Sequence, residues 1–237
     1  MLALVALMAA LVAGAAAWIW RTTDGLVFAI AAADRLLPAH LHARAVSGSL
    51  AHGFAAEELV YEDATVSVRI TGLRAALDEL RAGRSLAALR VGFSELLADR
   101  LTVRVRPPAV PPVAPPQSIA LPFALRAERL AVGEFELYTG DEGARPLRLR
   151  QIAARVEAAK HGYAATGGLA LGSQEAPLRA QFDATLGGAT PFALAGRGTL
   201  AGSVGAQPLQ AAVEASGSLV DLRLQAEVVR APSGAAP

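Results

Sequence analysis

The stretch LVDLRLQAEV, residues 219–228, alternates without a break. Val220, Leu222, Leu224, Ala226 and Val228 share one parity, and Asp221, Arg223, Gln225 and Glu227 share the other. A period of two places the apolar set on one face of a β-strand and the polar set on the other. The pattern recurs along the chain. Val66, Val68 and Ile70 alternate with polar residues, as do Leu101, Val103 and Val105, and Phe135 and Leu137. Leu178, Ala180, Phe182, Ala184 and Leu186 form the longest such run. Leu147 and Leu149 have one parity while Ile152 and Val156 have the other, so a β-bulge is expected near Gln151. Turn signals at 140–143, 161–162, 187–188 and 216–218 separate the runs. The expectation is an antiparallel meander of about a dozen strands, roughly 55–60 Å wide at ~4.8 Å per strand, which should curl or split.

Two stretches interrupt the alternation. Residues 73–91 carry Leu73, Leu77 and Leu80 at helical spacing, with Gly83 as the turn of the alternative reading. They read as a short helix or irregular turn, with strand–turn–strand as the alternative. The segment PPAVPPVAPPQSIALP, 107–122, reads as a stiff linker between two β segments.

Helical periodicity is confined to the first forty or so residues. Residues 1–20 contain no charge and would span roughly 30 Å as a helix, one bilayer core. A transmembrane signal-anchor is expected over 1–21, with Leu2, Leu4, Leu7, Leu11, Trp18, Ile19 and Trp20 facing lipid and the tryptophans at the interface. The competing reading is a cleaved signal peptide ending at Ala15-Ala16-Ala17. An amphipathic helix is expected over 22–42, capped by Thr23 or Asp24, with Leu26, Ile30, Ala33 and Leu37 along one stripe and Pro38 ending the run. The β segments then fall at 43–106 and 123–237.

Composition narrows the function classes. Net charge is +1, and no basic patch interleaves with aromatics, so no nucleic-acid partner is expected. Charged residues make up 18% of the chain and mean hydropathy is +0.38, too apolar for an ordinary soluble domain. The chain has no cysteine, which removes thiolate catalysis, disulfides and Cys-based zinc sites. His40 and His42 lack ligand partners at suitable spacing. Glu57 and Glu58 would face opposite ways on a strand. Residues 196–205, GRGTLAGSVG, carry no phosphate-loop lysine. No enzyme activity, metal or cofactor is expected.

The order of features resembles a known family. RTTDGLVFAIAAADRLLPAHL follows an apolar span, then comes VSGSLAHGFAAEELVYEDATVSVRITGL, and a proline-rich gap precedes SIALPFALRAERLAVGEFEL. The most specific signals are Thr22, Thr23, Gly25 and Leu26 at the helix start, and Ser47, Gly48, Leu50, Leu59 and Tyr61 after it. The chain resembles the N-terminal region of the TamB family, the inner-membrane subunits of the translocation and assembly module, within the AsmA-like bridge-type lipid transfer proteins. The resemblance implies a curled, taco-like β-sheet with an apolar interior that continues beyond this chain. It also implies a single-pass inner-membrane anchor, a periplasmic body, phospholipid as cargo and a TamA-type outer-membrane barrel as partner. The family's other attribution is scaffolding of outer-membrane protein assembly. On the lipid reading the groove is lined by Val66, Val68, Ile70, Leu101, Val103, Val105, Phe135, Leu137, Leu147, Leu149, Leu178, Phe182, Leu186, Val220, Leu222 and Leu224.

Overall fold

The computed structural model describes residues 18, 20–36, 40–81, 85, 88–106, 117–121, 123–139, 145–172, 177–204, 207–218 and 221–230. Among the described elements one helix, α1 (Thr23–Leu36), precedes twelve strands. These are β1 (His40–Arg44), β2 (Ser47–Ser49), β3 (Gly53–Glu62), β4 (Val66–Arg81), β5 (Arg90–Val105) and β6 (Ala124–Thr139). They continue as β7 (Leu147–Ala159), β8 (Gly162–Gly172), β9 (Pro177–Gly187), β10 (Ala193–Val204), β11 (Gln207–Ser218) and β12 (Leu222–Arg230). All twelve join one open sheet in the order β1-β3-β4-β5-β6-β7-β8-β9-β10-β11-β12, with β2 beside β3.

The expected meander holds except at one place. β5 and β6 are parallel, from Arg90↔Ala124 to Val105↔Thr139. A parallel pair requires the chain to return the full strand length before re-entering the sheet. For the 16 residues of β5 that is about 53 Å at ~3.3 Å per residue. The 18 residues between Val105 and Ala124 reach about 56 Å at ~3.1 Å per residue, enough for this return, and proline has no N–H to donate to a ladder. Its described end docks on the β9–β10 turn: the Ile119 N–H donates to the Gly188 carbonyl at 2.9 Å and Thr190 N–H to the Gln117 carbonyl at 3.0 Å. The Tyr163 hydroxyl also donates to the Ile119 carbonyl.

The helical expectation within 73–91 is overturned. β4 runs through Leu73, Leu77 and Leu80 to Arg81, and β5 starts at Arg90, the strand–turn–strand alternative. The misleading spacing arises because the strands change phase. Apolar residues occupy even positions up to Ile70 and odd positions from Leu73, and burial follows them: Leu73 and Ala75 are buried while Thr71 and Arg74 are exposed. Gly72 makes the switch at φ +66°, a left-handed conformation open to glycine. Gln151 makes the same switch in β7 at φ +50°, where the register with β8 slips between Arg150 and Ala153, so the bulge expected there is present. Ladder shifts between Ala76 and Glu79 then bring Leu80 opposite Val91.

The helix cap is Thr22, one residue before the expected pair. Its hydroxyl accepts the Gly25 N–H at 3.0 Å, and the Thr23 hydroxyl instead donates to the Gly48 carbonyl at 2.7 Å, tying α1 to β2. Asp34 accepts the Leu41 N–H at 2.7 Å, fixing the far end of α1 to β1. β1 begins at His40, inside the stretch assigned to the helix from sequence. Leu26 is buried against this end of the sheet, whereas Val27 and Phe28 are exposed and the Phe28 ring lies 6.0 Å from that of Trp18. Among the described residues no helix is long and apolar enough to cross a membrane. Leu2, Leu4, Leu7, Leu11, Ile19, Ala33 as a side chain, Leu37 and Pro38 lie outside the described residues.

Candidate functional site: an apolar sheet face

Cross-strand pairing places residues on faces, because paired Cα positions project to the same side. Val68 pairs with Tyr61 and Val103, Val103 with Leu137, and Leu137 with Leu147. Ile70 pairs with Leu59 and Leu101, Leu101 with Phe135, and Phe135 with Leu149. Val66 pairs with Val105. In the second half Leu178 faces Leu171, Phe182 lies between Gly167 and Gly198, and Leu186 lies between Tyr163 and Leu194. Leu222 pairs with Gly217 and Leu224 with Ala215. Every groove position proposed from sequence therefore lies on one face, apart from Val220, which is outside the described residues.

The register extends this set into rows that cross the sheet. One runs Phe54–Ala75–Leu96–Leu130–Ala154–Gly167–Phe182–Gly198–Val213–Ala226, from β3 to β12, without a polar side chain. A second runs Leu80–Val91–Leu125–Ala158–Tyr163–Leu186–Leu194–Gly217–Leu222, interrupted by nothing more polar than a tyrosine. Sequence reasoning missed others on this face, Phe54, Leu96, Leu125, Leu130 and Leu194 among them: Leu96 and Leu130 lie across a phase change from the alternation at Leu101–Val105 and Phe135–Leu137, and Leu194 lies in a strand with glycine at inward positions. In GRGTLAGSV the inward positions are Gly196, Gly198, Leu200 and Gly202, so a hydropathy alternation is muted.

Burial separates this face from a packed core. Ala56, Leu73, Ala75, Ala127, Val132 and Ala158 are buried to 2–5% exposure, and all lie on it. The element contacts join neighbouring strands, and α1 touches β1 and β2, so no described element forms a second layer over these residues. Among the described residues no side chain is fully buried, while Leu147, Leu222, Leu224 and Val228 stand exposed.

The opposite face carries the charge. Glu136 pairs with Arg148 at 3.0 Å, Glu134 with Arg100 at 2.8 Å, Glu62 with Arg106 at 2.9 Å and Asp183 with Arg197 at 3.6 Å. Glu136 is buried, while the other three pairs are partly exposed and contribute about 0–1 kcal/mol each, so they secure register more than stability. Arg104 lies 4.6 Å from the centre of the Tyr138 ring on the same side. A recess of about 560 Å³ opens on this face beside Gly168, lined by Gln181, Asp183, Arg197, Thr199 and Glu214, with the Asp183–Arg197 pair inside it.

Two groups of the β3–β4 hairpin titrate away from their ordinary values. The Asp63 carboxylate accepts the N–H groups of Thr65 and Val66 at 2.7 Å each, and these bonds hold its pKa below the usual carboxylate range. Desolvation and the hydrogen bond to Asp63 push the Tyr61 phenol upward. Both belong to the β3–β4 turn and lie apart from any acid–base pair. His40 and His42 stack at 6.3 Å, with Asp34 at 4.0 Å from His40. Among the described residues no group of three or more His, Asp or Glu side chains could hold a metal ion.

No protein-family model, curated protein or solved structure matches this chain.

Proposed function

We propose that this chain is a lipid-transfer module, an inner-membrane-anchored bridge in the periplasm that carries phospholipids along a curled β groove. The observation that supports the reading is the uncovered apolar face, continuous from β3 to β12 and free of charge along its rows. A diacyl lipid leaving a bilayer exposes its tails at about 0.8 kcal/mol per CH₂, roughly 25 kcal/mol for two sixteen-carbon chains. A single high barrier of that size would stop transfer. Successive strand faces offset it continuously, since each step along a row replaces one apolar contact with another. Burial of Leu73 and Val132 without a covering layer supports a sheet that is concave on this side, where neighbouring side chains converge. The reading needs no catalytic group. It takes its anchor over 1–21 from the uncharged apolar run there, and its TamA-type partner and its location from the family resemblance.

The test compares lipid retained by the purified full chain, by native mass spectrometry, with that of a Val68→Asp, Val103→Asp variant. These residues pair on one row. A charge in an apolar phase costs about 2.5–3.5 kcal/mol, so the variant should retain at least on the order of a hundredfold less phospholipid. Equal retention would show that lipid binds elsewhere, for instance at the anchor. A scaffold for outer-membrane protein strands would use the sheet edge and be indifferent to this change.

A further inference from the structure

We propose that the cleft between α1 and β1 is the entry site of the path, where one acyl chain of a membrane phospholipid leaves the bilayer and meets the apolar face. The proposal rests on the lipid reading above and adds to it a place and a size limit. The cleft measures about 300 Å³. Val27, Ile30 and Ala31 line it from α1, at the spacing of a single helix face. Leu41, Ala43 and Val46 line it from β1 and the turn after it. Ligand clefts run from roughly 300 to 1,000 Å³, so this one suits a length of one tail and not a two-chain lipid taken whole.

Register and sequence identify the occupant. Leu41 pairs with Tyr61 and Ala43 with Leu59, and these pair in turn with Val68 and Ile70. Two rows of the apolar face therefore begin inside the cleft. At its other end Val27 adjoins Phe28, whose ring lies 6.0 Å from that of Trp18, and both rings are exposed. The uncharged sequence 1–17 precedes this pair, and tryptophan settles where a membrane meets water. The cleft thus joins a membrane-seeking aromatic pair to the first rows of the sheet through apolar side chains. Its shape is built in. Ala45 adopts φ +51°, a left-handed conformation costly for a residue with a Cβ, and this redirects the chain between β1 and β2 so that Val46 lines the cleft. Asp34 accepts the Leu41 N–H at 2.7 Å and the Thr23 hydroxyl donates to the Gly48 carbonyl at 2.7 Å, so α1 is pinned near both of its ends.

The test uses the full chain reconstituted in vesicles of phosphatidylethanolamine and phosphatidylglycerol, with a photo-crosslinker at Phe182 reporting lipid that has reached the far half of the sheet. Ala31 is exposed and lines the cleft, so Ala31→Trp fills the cleft without disturbing a buried contact. It should lower phospholipid adducts at Phe182 about tenfold. Arg35→Trp, exposed on the same helix and outside the cleft, should leave them within about twofold. Phosphatidylglycerol supplied in detergent reaches the open face directly, and should restore the adducts of Ala31→Trp. Circular dichroism checks that both variants keep the sheet. Adducts undiminished in Ala31→Trp, as when another segment of the chain occupies the cleft, overturn the entry site. So do adducts lowered equally by Arg35→Trp, or not restored from detergent. These three results leave the lipid path standing, whereas no adduct at Phe182 in the unaltered chain overturns the path and its entry together.

Discussion

Replacing Phe182 with aspartate is expected to slow phospholipid transfer between donor and acceptor vesicles by about two orders of magnitude while the sheet stays folded. Phe182 stands between Gly167 and Gly198, so its ring is the bulk of the central row at β8–β10. Aspartate is too short to reach water around the sheet, unlike arginine, whose long stem would snorkel. A carboxylate in the path adds a barrier of about 2.5–3.5 kcal/mol for every tail that passes, and each ~1.4 kcal/mol is tenfold in rate. The same change at Gln181, one residue away on the polar face, should leave transfer within about twofold. Phe182 is half-exposed, so the melting temperature should move by only a few degrees. If Phe182→Asp unfolds the chain as a core charge would, or transfers lipid at the normal rate, the face is not an open path.

Two glycine-to-alanine changes should differ sharply in stability. Gly162 opens β8 at φ +140°, where an added Cβ would strike the Leu186 carbonyl oxygen and crowd the Gly187 Cα at 3.0 Å. Neither obstacle is a flexible side chain, so the β7–β8 and β9–β10 turns must part. The expected cost is about 2–4 kcal/mol, a fall of roughly 5–15 °C in melting temperature for a chain this size. Gly196 lies on the apolar face with ordinary φ, and its nearest neighbours would be the Ala184 Cβ and the Asp183 carbonyl oxygen, each at 3.4 Å. Gly196→Ala should shift stability by no more than about 0.5–1 kcal/mol. Equal shifts in differential scanning calorimetry would mean that the close approach at Gly162 is not what holds this turn.

Strand faces were legible where inward residues are large. Leu178 to Leu186 and Val220 to Val228 show an alternation that only a strand satisfies, and the phase change at Gln151 appears in the sequence as two leucines and two β-branched residues of opposite parity. Where the phase change falls on Gly72 it hid the strand, because Leu73, Leu77 and Leu80 then mimic a helical stripe. Where glycine occupies the inward positions of β10 the periodicity fades, since a missing side chain carries no hydropathy. The parallel β5–β6 pair was not legible, because strand direction depends on what the connection does in space. Proline content marked 107–122 as unable to join the ladder, and its length permitted a return crossing, but either direction of re-entry satisfies the same residues. The cap at Thr22 escaped for a smaller reason: three consecutive polar residues, Thr22 to Asp24, can each serve, and contacts to Gly25 and Gly48 decide between them.

Site-specific photo-crosslinking in living cells tests the groove most directly. Probes at Val68, Val103, Leu149, Phe182 and Leu222 lie on the apolar face, and probes at Arg69, Arg104 and Arg223 lie on the charged one. Phospholipid adducts at the first set and none at the second are the expected result. Adducts spread evenly over both sets, or absent from both, contradict a lipid path along this face.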